Sequence, residues 1–255
     1  SVNLAIFEEG SVFQPLKKIG SGSPLPVGYE LPSDKELAEL NHAIPSQPKH
    51  LAVVFTGSRV AQQVGQREVA ASYQDAINAI LIAAKAVGAE LRLVQAQRAG
   101  FHPGRCAEFF TSDAKLVGVA GELDPALMTT NDLPRRVAAA EINLNVLFDA
   151  APDVIQAKAI GIMPAATQDL SLVVSTDVPA GELLQLIKQG AGALLESITL
   201  VDDYRGENVG EGKKSLTFAL KFRAEDRTLT QAEATEARDA AVKLAAEKFD
   251  AVLRA

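Results

Sequence analysis

The sequence predicts an α+β protein in two successive parts, and three observations carry that prediction. From about 164 to 253 the elements read βαββαβ, with period-two strands alternating with helical spacing. Before about 160, short strand-like runs outnumber helices. Their short connections predict a mostly antiparallel sheet, since parallel strands need long crossovers. The stretch from Ala150-Ala151-Pro152 to Gly161 reads as a connector.

In the first part, residues 1–15 read as a β-hairpin. Leu4-Ala5-Ile6-Phe7 leads to a turn at Glu8-Glu9-Gly10, and Ser11-Val12-Phe13 returns. Residues 16–34 read as a loop, punctuated by Gly20-Ser21-Gly22-Ser23-Pro24, Pro26-Val27-Gly28 and Pro32. A short helix over 34–40 is capped by Ser33 or Asp34. Leu51-Ala52-Val53-Val54-Phe55 reads as a buried strand ending at Gly57. The spacing of Ile77, Ile80, Leu81 and Ala84 predicts a helix over 73–87, with Gly88 just past its end. Residues 91–94 read as a strand, 107–110 and 116–119 as a strand pair, and 136–142 as one more strand.

In the second part, Leu170, Leu172 and Val174 alternate with Asp169, Ser171 and Val173, which predicts a strand. A helix starts around Pro179 with Leu183, Leu186 and Ile187 inward. A strand over 197–204, a turn over 206–212 and a strand over 215–223 follow. On that last strand Leu216, Phe218, Leu220 and Phe222 form one face. Thr230 and Glu233 read as a capping box for a helix over 231–248, striped by Ala234, Ala237, Ala241 and Leu244. Ala251-Val252-Leu253 closes the βαββαβ plan, ferredoxin-like, with both helices on one sheet face and the other face open.

Composition bounds the function. At 255 residues there is room for one large domain or two ordinary ones. With no Trp and 5% aromatics, the core is expected to consist of Ala, Val, Leu and Ile. The single Cys106 excludes an internal disulfide and fits a reducing compartment. No apolar run reaches the roughly 18 residues of a membrane helix. The start lacks a Met and a signal-peptide pattern and opens in strand-like alternation, so the chain reads as cut from a longer one. The net charge of −7 argues against a general nucleic-acid binder. Neither part is basic: 162–255 holds 11 basic and 15 acidic residues, and the remainder 14 and 17. Any RNA contact is therefore expected to be local and shape-driven.

Catalytic and metal constellations are poor. His42, His50 and His102 have no ligand-like spacing with each other or with Cys106. Cys106 follows Arg105 but reads as a buried structural thiol. The loop at 20–28 lacks the Lys-Ser/Thr of a phosphate loop. The open sheet face says more. It offers Ser215, Thr217, Ala219, Lys221 and Arg223 on one strand, and Asp169 and Ser171 on another. Arg205, Lys213, Lys214 and Arg227 surround it, and the span 205–227 carries six basic and four acidic residues. Tyr204 is suited to stacking on a base and Asp202 to accepting from a base edge. One detail conflicts: Ile198, Leu200, Asp202 and Tyr204 share one alternation phase. A bulge near Val201-Asp202 would resolve it.

Several motifs then give a resemblance. Pro164-Ala165-Ala166-Thr167-Gln168-Asp169-Leu170, Asp177-Val178-Pro179-Ala180 and Asp202-Asp203-Tyr204-Arg205-Gly206 resemble the ferredoxin-fold anticodon-binding domain of phenylalanyl-tRNA synthetase beta subunits. Glu211-Gly212-Lys213-Lys214-Ser215-Leu216 and Arg227-Thr228-Leu229-Thr230 continue the match. Gln168 stands where many relatives have Arg. Asp203 stands where an apolar residue is usual, which suggests an exposed side chain. The first part resembles the synthetase-like module of the same subunit through Phe7-Glu8-Glu9-Gly10 with Val12-Phe13 and through the His102-Pro103-Gly104-Arg105 turn. Gly118-Val119-Ala120-Gly121-Glu122-Leu123-Asp124-Pro125 continues that match, with Asp124 in place of the usual His.

The resemblance implies a class II synthetase-like, mostly antiparallel sheet with helices over 1–160 that has lost its active site. It implies a ferredoxin-like anticodon-binding domain over 161–255. No Gly-Leu-Gly-x-x-x-Arg motif is present to hold ATP; the matching region at 132–141 has only Arg135 and Arg136. Catalysis, with ATP and magnesium, would belong to the alpha subunit of a heterotetramer, and this chain alone would carry no catalytic residue, metal or cofactor. The expected partners are the alpha subunit and tRNA(Phe), with no DNA and no membrane, in the cytoplasm. The family's anticodon contacts carry over onto Ser171, Asp202, Tyr204 and Ser215, with Arg205, Lys213 and Lys214 as nearby tRNA-binding cations. Rival readings are a ferredoxin-like amino-acid sensor and a stand-alone enzyme; no coherent catalytic set supports the latter.

Overall fold

A computed structural model describes residues 3–14, 31–155, 157 and 161–254. The Gly/Ser/Pro loop expected at 20–28 lies outside the described residues. So do residues 1–2 and 15 of the expected hairpin, and residues 156 and 158–160 of the expected connector. The chain divides into two compact units, Ser1–Ile155 and Gln156–Ala255.

The first unit runs β1 (Leu4–Ser11), α1 (Asp34–Ala43), β2 (Lys49–Thr56), β3 (Ser58–Val60), β4 (Val69–Ala70), α2 (Tyr73–Val87) and β5 (Arg92–Gln95). It continues with β6 (Phe101–Phe110), β7 (Leu116–Leu123), α3 (Pro125–Thr130), β8 (Val137–Asn143) and α4 (Leu144–Asp149). Among the described residues, six strands form one sheet in the order β1-β2-β8-β7-β6-β5, every neighbouring pair antiparallel. Helix α2 lays Ala76, Ile80 and Ala84 on this sheet, against Val53, Phe109, Val117, Ala120 and Ile142. Gly88 ends α2 in the left-handed region (φ 74°), where a side chain would be strained.

Three expectations need correction here. The described residues of the expected hairpin, 3–14, do not form one. Leu4–Ser11 is a single strand paired with β2 from Leu4↔Thr56 to Ser11↔Lys49, and Gly10 lies inside it, opposite His50. Pairing with β2 runs over eight residues, longer than the short return strand of a local hairpin could supply, and satisfies the inner row of β1's backbone groups. Leu81 does not point inward; it is 41% exposed, because the buried stripe runs through 76, 80 and 84, and Leu81 lies a further 100° round the helix. His102-Pro103-Gly104-Arg105 is not a turn between strands but an irregular stretch of β6. The register passes from Phe101↔Leu123 to Cys106↔Gly121 there, and such an irregularity is where a strand tolerates Pro. Within it Arg105 Nη1 donates to both oxygens of the Glu122 carboxylate, at 2.9 and 2.8 Å. Asp124 caps α3, its carboxylate accepting from the Ala126 N–H at 2.8 Å.

The second unit runs β9 (Ala166–Ser175), α5 (Ala180–Ala191), β10 (Leu195–Tyr204), β11 (Lys213–Phe222), α6 (Gln231–Phe249) and β12 (Val252–Leu253). Its sheet order is β10-β11-β9-β12, as the βαββαβ plan requires. The capping box forms as read: Thr230 Oγ1 accepts from the Glu233 N–H, and the Glu233 carboxylate accepts from the Thr230 N–H at 2.9 Å. Leu183, Leu186 and Ile187 of α5, and Ala234, Ala241 and Ala245 of α6, pack on Leu170, Leu172, Val174, Leu216, Phe218, Leu220 and Phe222. Ala, Val, Leu and Ile are not the whole core, contrary to expectation. Phe109, Phe218 and Phe222 are among the largest fully buried side chains.

The two helices touch where Gly190 meets Ala241, since a Cβ on Gly190 would sit 2.6 Å from the Ala241 Cα. Gly190→Val is therefore expected to destabilise this unit by about 1–3 kcal/mol through overpacking. The check is a lower urea midpoint at unchanged slope.

Candidate nucleic-acid interface

The geometry of the candidate site follows from which face of the second sheet each residue takes. Directly opposed residues on neighbouring strands share a face. Leu216↔Leu172 and Phe218↔Leu170 mark the core face. Ser215↔Val173, Thr217↔Ser171 and Ala219↔Asp169 mark the opposite, helix-free face.

On β10 a register shift between Leu200 and Asp202 leaves Val201 unpaired. Before it, Ile198↔Leu220 and Leu200↔Phe218 share the core phase; after it, Asp202↔Thr217 and Tyr204↔Ser215 share the helix-free phase. This is the bulge that the sequence phase conflict demanded. Two rows result across the sheet. One is Tyr204, Ser215, Val173 and Val252; the other is Asp202, Thr217 and Ser171. The Ser171 and Thr217 hydroxyls are hydrogen-bonded at 2.9 Å.

The expected contact residues differ in access. Asp202 is exposed, while Tyr204 and Ser171 are half-buried. Ser215 has no exposed surface, and its buried hydroxyl finds no hydrogen-bond partner among the described residues. Lys213 is exposed on the phase of Ser215. Lys214 takes the other phase, opposite the core residue Val174, and is 4% exposed. Alternation thus separates two neighbouring cations that the sequence reading grouped together.

Much of the positive stretch is neutralised locally. Arg205 forks onto Asp203 at 3.0 Å through each of two nitrogens. That hydrogen bonding holds the Asp203 carboxyl below its usual range. Lys221 and Arg223 both reach Glu196, at 3.0 and 3.1 Å, and hold its carboxyl low in turn. Arg227 pairs with Glu233 at 2.7 Å. Gln168 faces the other way, donating to Thr235 Oγ1 of α6 at 2.9 Å.

One participant escaped the sequence reading. The Arg254 guanidinium lies 5.0 Å from the centre of the Tyr204 ring. The Arg254 N–H donates to the Ser171 carbonyl at 2.9 Å, continuing the pairing of β12 with β9. Only a long-range register brings the two side chains together, so local pattern carries no signal for it. No helix among the described residues is long and apolar enough to cross a membrane. No grouping of three His, Cys, Asp or Glu side chains fit to hold a metal occurs among them.

Comparison with known proteins assigns both units. The profile of the family "Phenylalanyl tRNA synthetase beta chain CLM domain" matches residues 1–144, and that of the "Ferredoxin-fold anticodon binding domain" matches 161–254. The chain is 51% identical to the phenylalanine–tRNA ligase beta subunit of Leifsonia xyli subsp. xyli, over 99% of this chain and 30% of that protein. It is 45% identical to the protein of the same name from Streptomyces avermitilis, over 100% of this chain and 31% of that protein. For the Thermobifida fusca protein the identity is 42%, over 99% and 31%. The chain thus spans about 30% of the length of the curated relatives it matches.

Burial pulls the pKa of Lys214 down, with Arg205 adding to the shift. A folded-state pKa below the unfolded one means that the charge disfavours folding at neutral pH. The penalty lifts as pH rises from the folded value to the ordinary Lys value, near 10.5. Lys214→Met is therefore expected to raise the denaturation midpoint at pH 7, with the gain shrinking as pH approaches 10.5. A gain that persisted undiminished at alkaline pH would assign the effect to packing.

Proposed function

Since this chain belongs to the phenylalanyl-tRNA synthetase beta-chain family, we propose that its second unit reads the anticodon of tRNA(Phe) while its first unit scaffolds the catalytic alpha subunit. The observation that carries the reading is the Val201 bulge, which turns Asp202 and Tyr204 onto the helix-free face beside Ser171 and Ser215.

The roles follow from chemistry. The Tyr204 ring is a stacking surface that any unpaired base can use. An ionised Asp202 carboxylate only accepts hydrogen bonds, so it favours a base edge that presents N–H donors. The Ser215 hydroxyl has no exposed surface and no hydrogen-bond partner among the described residues, so a base edge gives it one only if the groups covering it move aside. Ser171 sits in the second row, and the exposed Lys213 and Arg205, the latter already paired with Asp203, are assigned to backbone contact. Lys214, turned to the core side, has no role in this contact set.

The scaffold proposal rests on β1. This edge strand is exposed along its length, with Ile6 at 55% and Phe7 at 77%. Consecutive residues face opposite sides of a strand, so both sides carry uncovered apolar surface, the kind of edge that a partner covers. We assign no chemical step to this chain. ATP and magnesium would serve the assembled enzyme, and the described residues offer no carboxylate or His cluster to hold the metal. The reading puts the protein in the cytoplasm. The family match supports tRNA over an amino acid as the ligand of the second unit.

Tyr204→Ala is expected to weaken tRNA(Phe) binding by about 1–3 kcal/mol, the size of one base stack, and to leave amino-acid activation unchanged. Gel-shift titration with cognate and anticodon-swapped tRNA provides the check, and equal binding of both tRNAs by the parent protein would refute anticodon reading. Because Arg205, Lys221, Arg223 and Arg227 are already paired with carboxylates, this unit's share of the salt dependence is expected to be shallow. Comparing log affinity against log salt with and without the unit measures that share.

A further inference from the structure

The Tyr204 ring is positioned by two residues that stand outside the proposed contact set. At its hydroxyl end lies Gly206, where a Cβ would come 2.5 Å from the Tyr204 Cζ. Against the ring lies the Arg254 guanidinium, 5.0 Å from its centre. Tyr204 belongs to one outer strand, β10, and Arg254 follows the other, β12. The two side chains meet over the intervening strands, across about 14 Å of sheet at ordinary strand spacing. Arg254 is anchored for this reach by its N–H bond to the Ser171 carbonyl. Directly opposite Tyr204, Ser215 is fully buried, and its hydroxyl has no hydrogen-bond partner among the described residues.

We infer that Arg254 and Gly206 are positioning residues for base recognition: Arg254 holds the Tyr204 ring by a cation–π contact, and Gly206 leaves the space the ring needs. This rests on the reading of Tyr204 as the stacking residue. A stack is strongest when its aromatic partner is already fixed, since a loose ring loses rotamer freedom on binding. The Arg contact restricts the ring before the base arrives, and its planar group suits that task better than an ammonium. A side chain at 206 would push the ring from its seat.

The test is a double-mutant cycle in the assembled synthetase with the full-length beta subunit, measuring KM and kcat for tRNA(Phe) charging. Arg254→Ala is expected to raise KM for tRNA about three-fold with kcat unchanged, the size of an exposed cation–π contact. Arg254→Lys, which keeps a cation on the ring, is expected to stay nearer the parent. Gly206→Ala is expected to raise KM as well. In the Tyr204→Ala background, Arg254→Ala is expected to add nothing. An unchanged or lower KM in Arg254→Ala overturns the inference, as does a full three-fold effect that persists without Tyr204, which would make Arg254 a direct tRNA contact. A Tyr204→Ala protein that charges tRNA normally would instead sink the anticodon reading itself.

Discussion

The site depends on one constraint, the two-residue period of a β-strand interrupted between Leu200 and Asp202. Through Leu200, β10 keeps its apolar residues on the helices, opposite Phe218 and Leu220. One extra residue, Val201, then reverses the phase, and Asp202 and Tyr204 leave the core side. Without that slip the carboxylate and the phenol would be driven toward Leu183 and Phe218, where an unpaired charge is costly. The bulge therefore protects the core and builds the polar face in a single step.

The core that supports this face is packed from both small and large groups. Gly190 lets α5 approach Ala241 of α6, while Phe218 and Phe222 fill the space between helices and sheet. Such a mixture packs tightly and gives a stiff base. A stiff base matters here, because stacking and hydrogen bonding both demand fixed geometry.

Electrostatics has the lesser part. The chain carries a net charge of −7, and several of the cations near the face are already tied to Asp203, Glu196 or Glu233. On the proposed reading, recognition would rely on the ring of Tyr204 and on the Asp202, Ser171 and Ser215 groups more than on phosphate attraction. The exposed edge of the first unit, with Ile6 and Phe7, is apolar where the face of the second unit is polar.

The sequence alone determined what short-range pattern governs. The alternation of Leu170, Leu172 and Val174, the Thr230–Glu233 cap and the extent of α2 were legible because each depends on neighbours within about one turn or one pleat. Even the bulge at Val201 could be read, since the phase conflict lies within ten residues of chain. Tertiary structure alone decided the rest. It joined Leu4–Ser11 to β2 in place of a hairpin, and it turned Lys214 to the core side. It closed Ser215 from solvent and laid Arg254 on Tyr204. Those outcomes follow from pairing register between distant strands, and register is set by the whole sheet finding one arrangement that buries its apolar face.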